Sequence, residues 1–185
     1  SLQMLDVIND ILDFSRLEHD ALQLECIAFS LDDIFTSLHK SFKYSAEEKG
    51  LQLSFNIPSE FASLHVEGDP TRLRQILVNL LANALKFTQE GHIHLNVHWS
   101  VLDHNQLRLH CAISDSGIGI AKEQLDSIFT AFHQADQSIS RRYGGTGLGL
   151  SIAYTLAEQM SGSLTVSSKV GLGSTFILEV PLHHI

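Results

Sequence analysis

The stretch DPTRLRQILVNLLANALKFT, residues 69–88, predicts one long helix with a defined start. Asp69 belongs to the residue types that cap helix N-termini, and Pro70 suits the first helical position because its missing N–H would have no partner there. Apolar residues recur at helical spacing and predict a face buried in a core: Leu77, Leu80, Leu81, Ala84 and Leu85. The polar side chains that interrupt this pattern are therefore the first candidates for a function.

Two amides and an amine share the polar edge of this helix. Asn79 and Asn83 are four residues apart, and Lys86 follows three residues later on the same side. Amide oxygens can ligate Mg²⁺, and lysine can pair with a phosphate. An ordinary polar helix edge explains an isolated pattern of this kind more readily, so the pattern needs support from the rest of the chain.

The periodicity around this helix predicts strands and helices in mixed order. We expect strands near 23–29, 51–57, 91–101, 106–114, 162–168 and 174–181, and helices over 30–49, 69–87, 122–129 and from the glycines to about 160. Hairpin-linked strands at the end of the chain indicate an α+β fold. We expect a two-layer α/β sandwich whose mixed, mostly antiparallel sheet has helices on one face.

The first twenty residues predict a separate helix with two apolar stripes, one of them Leu5, Ile8 and Leu12 and the other Met4, Val7, Ile11 and Phe14. Such a wide apolar face is typical of a bundle helix. One helix cannot form a bundle, so its partners would come from another subunit or from sequence outside this chain.

The composition excludes several classes of protein. A net charge of −9 argues against a general nucleic-acid binder. No apolar run approaches the roughly 18 residues that would span a membrane, and the N-terminus does not resemble a signal peptide. The two cysteines, Cys26 and Cys111, lie far apart and favour a reduced, cytosolic setting.

A glycine-rich stretch, YGGTGLGLS at 143–151, has the glycine spacing of the P-loop but not its lysine, because Leu150 occupies that position. Backbone N–H groups at a helix N-terminus favour phosphate even without a lysine. Arg141 and Arg142 lie beside this stretch, and a local positive spot on an acidic chain suits a small anion. A solvated pair on a loop is the alternative.

Two further motifs surround the predicted strands. DSGIG, residues 115–119, follows a strand directly, and Asp115 can accept a hydrogen bond from an exocyclic amine or simply cap a turn. GLGST, residues 171–175, precedes the last strand. Phe129 and Phe132 are core anchors by the more common interpretation of such spacing, or they hold one end of a lid.

In chain order, these motifs read Asn-x-x-x-Asn-Ala, Asp-x-Gly-x-Gly, Phe-x-x-Phe, Gly-x-Gly-x-Gly and Gly-x-Gly-[ST]. The set resembles the catalytic, ATP-binding domain of sensor histidine kinases, a group related to the DNA gyrase, heat-shock chaperone and mismatch-repair ATPases. The resemblance covers about residues 22–182, and the amino-acid sequence of residues 69–88 and 141–153 is similar to that of the hybrid subclass. It implies that residues 22–185 form the catalytic domain.

The same resemblance identifies residues 1–21 as similar to the second helix of the dimerisation and phosphotransfer bundle. The helix that carries the phosphoaccepting histidine in this family has no counterpart here. His19 precedes Asp20 but lies at the end of the second-helix pattern, so it does not fit the acceptor role.

The resemblance also assigns roles. Asp115 would accept the adenine amino hydrogen, Asn83 would hold Mg²⁺ with support from Asn79, and Lys86 would pair with a phosphate. Arg141 or Arg142 would reach the γ-phosphate, because Gln134 stands where many simpler sensor kinases have a basic residue. The implied catalytic residues are Asn79, Asn83, Lys86 and Arg142; the other implied nucleotide contacts are Gly117, Gly119, Phe132, Gly145, Thr146, Gly147, Leu148, Gly149 and Thr175.

The resemblance therefore implies a protein histidine kinase domain that uses ATP and Mg²⁺ but lacks its acceptor. Its implied partners are an acceptor-histidine helix, in cis or in trans, and a response-regulator receiver domain, with a homodimer in the full-length protein. A cytoplasmic domain of an inner-membrane protein is expected. A docking module with the same fold and an ATP-hydrolysing machine are the alternatives. Asn79 argues against the second of these, because an amide cannot act as a general base at neutral pH.

His92, His94 and His98 share one face of a predicted strand, which raises the question of a metal site. A solvent-facing hairpin explains the spacing better.

Overall fold

The computed structural model describes residues 23–130 and 148–185, together with residues 5, 8, 9, 11, 12, 15 and 16, which are helical. The strands are β1 (Ile27–Ser30), β2 (Gln52–Asn56), β3 (His65–Gly68), β4 (His92–Val101), β5 (Gln106–Asp115), β6 (Ser163–Lys169) and β7 (Gly173–His184). The longer helices are α1 (Leu31–Glu48), α2 (Pro70–Phe87) and α3 (Gly149–Gln159).

All seven strands belong to one sheet of order β1-β3-β7-β5-β4-β2, with β6 paired to β7. The β2–β4 pair is parallel, and the other pairs are antiparallel. Asp115 at the end of β5 lies opposite Ile93 on one neighbour and Ser174 on the other. The register therefore places the end of the central strand beside the beginnings of β4 and β7.

Burial alternates along the central strands and places the core on one face of the sheet. The core residues of β4, β5 and β7 include Ile93, Leu95, Val97, Leu107, Leu109, Ile113, Phe176, Leu178 and Val180. Buried residues of the helices complete the same cluster, among them Leu38, Leu73, Leu77, Leu80, Ile152 and Leu156. The predicted two-layer sandwich with helices on one face is confirmed.

Both predicted helix starts are confirmed by their caps. The Ser30 side chain accepts a hydrogen bond from the Asp33 N–H at 3.3 Å and begins α1. Asp69 begins α2 by accepting from the Arg72 N–H at 3.0 Å through Oδ1. Its Oδ2 accepts from the Glu25 N–H at 2.9 Å. One carboxylate therefore caps α2 and also fastens the segment that precedes β1.

Two local predictions need correction. The helix expected over 122–129 is only a 3₁₀-helix at Lys122–Gln124 followed by turns, because the backbone bonds there join residues three apart, as in Leu125 N–H to Lys122 O. Strand β3 was not predicted, since its four residues are defined by pairing with β1 and β7 and not by a local pattern.

The N-terminal helical residues expose their apolar side chains. Leu5, Ile8, Ile11 and Leu12 are between 45% and 58% exposed, whereas Met4, Val7 and Phe14 lie outside the described residues. Among the residues that the structure describes, no helix is long and apolar enough to cross a membrane.

Candidate functional site

The polar edge of α2 carries Asn79, Asn83 and Lys86, all half-buried. Asn79 Nδ2 donates a hydrogen bond to the Gly149 carbonyl oxygen at 3.1 Å. Asn83 has no hydrogen-bond partner among the described residues. The two amides are therefore not equivalent: one is held by α3, and the other is available for a ligand.

Lys86 lies at the end of this edge. Its Nζ is 5.1 Å from the centre of the Phe87 ring, and partial burial lowers the pKa of the amine below its usual value. No carboxylate in the described ranges pairs with it. A bound anion such as phosphate is the partner that would offset the cost of burying this charge.

Asp115 ends β5 as a buried carboxylate, only 8% exposed. Its Oδ1 accepts hydrogen bonds from the N–H groups of Gly117 at 2.9 Å and Ser174 at 3.3 Å. Burial raises the pKa of this carboxyl group, and the two backbone bonds and the nearby His92 oppose that rise. No described residue donates to Oδ2, so that oxygen remains available to a ligand donor.

The loop after Asp115 requires its glycines. A Cβ on Gly117 would lie 2.3 Å from the Phe87 carbonyl oxygen. Gly119 has φ +75°, and a Cβ there would lie 2.2 Å from the Lys169 carbonyl oxygen. The Ile118 N–H donates to the same Phe87 oxygen at 3.2 Å. The end of α2 and the loop after Asp115 are thereby joined at one carbonyl group.

The start of β7 also contacts Asp115, through Ser174, which was not among the predicted site residues. Thr175 pairs with Ser114 at 2.9 Å between hydroxyl oxygens, and the alternation of the strands places both on the face opposite Asp115. Ser174 lies directly across from Asp115 and is itself buried. The structure therefore brings Ser174 to the carboxylate and not Thr175. Phe176 is a residue type that favours the core, and strand alternation places Ser174 on the same face. The sequence could therefore have indicated Ser174.

Helix α3 begins beside Asn79. The Leu148 side chain is fully buried, and its carbonyl oxygen accepts from Ser151 Oγ and the Ile152 N–H, both at 2.8 Å. Leu148 was predicted to contact the nucleotide. Because its side chain is buried, only its backbone can face a ligand. Within the described part of the chain, no side chain caps this helix start, so the N–H groups of its first turn lack that kind of partner there.

Six predicted site residues lie outside the described part of the chain, namely Phe132, Arg141, Arg142, Gly145, Thr146 and Gly147, as does Gln134. Phe129 is described: its ring stacks on Tyr154 at 4.9 Å and meets Phe176 edge-on at 6.2 Å. For Phe129, the interpretation as a core anchor is confirmed.

The strand histidines do not converge on one point. His94 Nδ1 lies 2.7 Å from Ser54 Oγ, and the His98 ring stacks on His110 at 4.4 Å. Within the described residues, no group of three or more His, Cys, Asp or Glu side chains is placed to hold a metal ion.

Two groups of candidate residues therefore lie on elements that are joined at the Phe87 carbonyl oxygen: a buried carboxylate framed by glycines, and an amide-and-amine edge on α2 next to the start of α3. Residues 68–184 match the family model described as histidine kinase-, DNA gyrase B-, and HSP90-like ATPase. The chain belongs to this ATPase family. Its fold and its nucleotide, ATP, follow from that membership.

Two relatives match nearly the whole length of the chain. It is 43% identical over 179 residues to the signal transduction histidine-protein kinase BarA of Escherichia coli, and 42% identical over 181 residues to the sensor protein GacS of Pseudomonas syringae, in each case over 97% of this chain. The chain spans only about a fifth of these relatives, 19% and 20% of their lengths.

Solved structures of the family share the fold. Full-length ShkA in complex with AMPPNP aligns over 98% of this chain and 36% of its own, with a TM-score of 0.79 and 31% identity. The catalytic domain of the histidine kinase ThkA aligns over 85% of this chain and 95% of its own, with a TM-score of 0.66 and 28% identity.

Proposed function

We propose that this domain binds Mg-ATP and presents the γ-phosphate to a histidine side chain on a separate helix, as the catalytic domain of a protein histidine kinase. The observation that carries the proposal is the junction at the Phe87 carbonyl oxygen, where Ile118 N–H donates at 3.2 Å. This hydrogen bond joins the loop after Asp115, the carboxylate that would recognise the base, to the end of α2, whose polar edge suits phosphate. We therefore assign both to one site.

Asp115 recognises the base. Its free Oδ2 accepts a hydrogen from an exocyclic amine, as adenine provides, while Oδ1 stays bound to the loop and to β7. Guanine would present a carbonyl oxygen to the carboxylate, and two acceptors facing each other repel. The site therefore selects ATP over GTP.

The polar edge of α2 handles the phosphates. Asn83, with its unengaged amide, fits Mg²⁺ as an oxygen ligand, and Asn79 orients the neighbouring backbone. The ion neutralises phosphate charge when bound. Lys86 supplies a partly desolvated cation to a phosphate oxygen. Arg141 or Arg142 completes the positive charge around the γ-phosphate.

The site positions the phosphoryl group and supplies no base for water. Asn79 is a neutral amide already engaged with Gly149, and the described edge of α2 carries no carboxylate that could take a proton from water. Catalysis then consists of positioning and charge neutralisation, with an imidazole as the nucleophile. Slow ATP hydrolysis follows.

The whole protein would supply the partners. Residues 1–21 act as the second helix of a dimerisation bundle, whose first helix bears the acceptor histidine in cis or in trans. A receiver-domain aspartate takes the phosphoryl group next, and the full-length protein is a homodimer anchored in the inner membrane with this domain in the cytoplasm.

Phosphotransfer in trans tests the proposal. The chain is mixed with a separate acceptor-histidine bundle and γ-labelled Mg-ATP, with Asn83→Ala as the matched variant. Label should appear on the bundle, should be greatly reduced with Asn83→Ala, and should be absent from the chain alone. Label on the chain itself would contradict the missing acceptor, and a lack of Mg-ATP binding at about millimolar concentration would favour a docking module.

A further inference from the structure

Three hydrogen bonds meet at the hydroxyl group of Ser168 on β6, which belongs to none of the predicted motifs. The Ile120 N–H donates to Ser168 Oγ at 2.7 Å, and Ser168 Oγ donates to the Gly173 carbonyl oxygen at 2.9 Å. The Ser174 hydroxyl oxygen lies 2.7 Å away. A hydroxyl has one hydrogen and two lone pairs, so the Ser174 hydroxyl is the donor, and the bonding capacity of Ser168 is complete.

These bonds join the two segments that frame Asp115. Ile120 ends the loop that follows the carboxylate, and Ser174 donates its own N–H to Asp115 Oδ1 at 3.3 Å. The turn between β6 and β7 supports the loop at a second point, since the Gly171 N–H donates to the Ile118 carbonyl oxygen at 2.9 Å. Ser168 is therefore linked to the Asp115 carboxylate through one intervening residue, Ser174.

A serine is unexpected at this place in the strand. Leu164 and Val166 precede Ser168 on the face of β6 that packs toward the core, and the alternation predicts another apolar residue. A valine there would leave the Ile120 N–H and the Gly173 carbonyl group without this partner. The hydroxyl is needed for the loop, not for the strand.

We propose that Ser168 is a positioning residue for base recognition, holding the loop 116–120 and Ser174 so that Asp115 faces the exocyclic amine of the nucleotide. This inference rests on the proposed function, because it assumes that Asp115 recognises the base. Ser168 itself does not contact the nucleotide.

The test compares Ser168→Ala with Ser167→Ala, which removes an exposed hydroxyl on the other face of the same strand. Calorimetric titrations use Mg-ATP and the Mg complex of purine riboside triphosphate, which lacks the amine. Ser168→Ala should weaken ATP binding about tenfold and the analogue about twofold or less, so the preference for ATP falls. Ser167→Ala should change neither, and Ser168→Thr, which keeps the hydroxyl, should restore the preference.

Amide exchange of Ile120 is the second measurement, since it needs no nucleotide. It should accelerate about tenfold or more in Ser168→Ala and stay unchanged in Ser167→Ala. If Ser168→Ala does not fold, Ser168→Cys replaces it, because a thiol keeps a side chain of similar shape with much weaker hydrogen bonding.

The outcomes separate the two proposals. If the wild type does not bind ATP more tightly than the analogue, the proposed role of Asp115 is wrong, whatever Ile120 does. If the wild type shows the preference and Ser168→Ala keeps it, or loses affinity for both nucleotides equally, the positioning role of Ser168 is wrong.

Discussion

The side-chain amide of Asn79 donates to the carbonyl oxygen of Gly149 at 3.1 Å, across 70 positions of sequence. The bond joins the middle of α2 to the first residue of α3. It separates two asparagines that look alike in the sequence, because Asn83 makes no such bond within the described residues. Asn79 has a structural partner before any nucleotide arrives, and its amide oxygen and second N–H are left for a ligand.

Asn79→Ala and Asn83→Ala should therefore differ in their effects on stability and on nucleotide binding. Asn79→Ala removes the side-chain hydrogen bond that joins α2 to the first turn of α3 and should lower the free energy of unfolding of the nucleotide-free protein by about 1–2 kcal/mol. Asn83→Ala should change it by less than about 0.5 kcal/mol but should abolish the stabilisation that Mg-ATP adds. Urea unfolding with and without Mg-ATP measures both, and equal losses without nucleotide would contradict the distinction.

Two glycines should respond in opposite ways to alanine. A Cβ on Gly149 would meet no atom of the described residues within 4 Å, so Gly149→Ala should stabilise α3 by up to about 1 kcal/mol. Gly173 has φ +113°, and its Cβ would lie 1.9 Å from the Asp115 carbonyl oxygen. Gly173→Ala should therefore cost on the order of 3 kcal/mol or more.

Thermal unfolding measures the change in stability of the two variants, and nucleotide titration measures their affinity for Mg-ATP. If the Gly149 backbone lies against the triphosphate, Gly149→Ala should bind Mg-ATP more weakly although it is more stable. Unchanged affinity would remove Gly149 from the site.

Thr88 is fully buried, and its hydroxyl oxygen has no hydrogen-bond partner among the described residues. Valine has the same shape without the hydroxyl, so Thr88→Val should raise the free energy of unfolding by about 1 kcal/mol. Thr88→Ser keeps the hydroxyl and loses a methyl group, so it should lower that free energy. A loss of stability in Thr88→Val would mean that the hydroxyl has a partner in solution.

The carboxyl group of Asp115 should make stability depend on pH. Its folded-state pKa is raised, chiefly by burial, so the folded state favours the protonated form and loses relative stability as the pH rises through that pKa. Asp115→Asn keeps an oxygen to accept from Gly117 and Ser174 without the charge. It should be more stable than the wild type at about pH 7, and the difference should shrink toward about pH 4.

Urea unfolding of the nucleotide-free proteins across this pH range measures the effect. The same substitution should remove the preference for ATP over purine riboside triphosphate. A stability difference that does not vary with pH would show that the charge of Asp115 is not its cause.

Local signals in the sequence predicted the parts of the fold that depend on local chemistry. Ser30 and Asp69 marked the helix starts, and the spacing of Asn79, Asn83 and Lys86 placed them on one edge. Strand β3 and the roles of Ser168 and Ser174 depend on which strands pair and in which register. Ser174 was not predicted because a motif fixes residue types, whereas only the sheet register decides which side chain meets Asp115.

Helix α2 is fastened at both ends. At its start, the Asp69 carboxylate holds the Glu25 N–H at 2.9 Å, where the chain enters the domain, and at its end the Phe87 carbonyl oxygen holds the Ile118 N–H at 3.2 Å. An 18-residue helix is a stiff strut about 27 Å long. The two bonds therefore connect the point where the chain enters the domain to the loop beside Asp115 through the length of one rigid helix, the helix that also bears the polar edge.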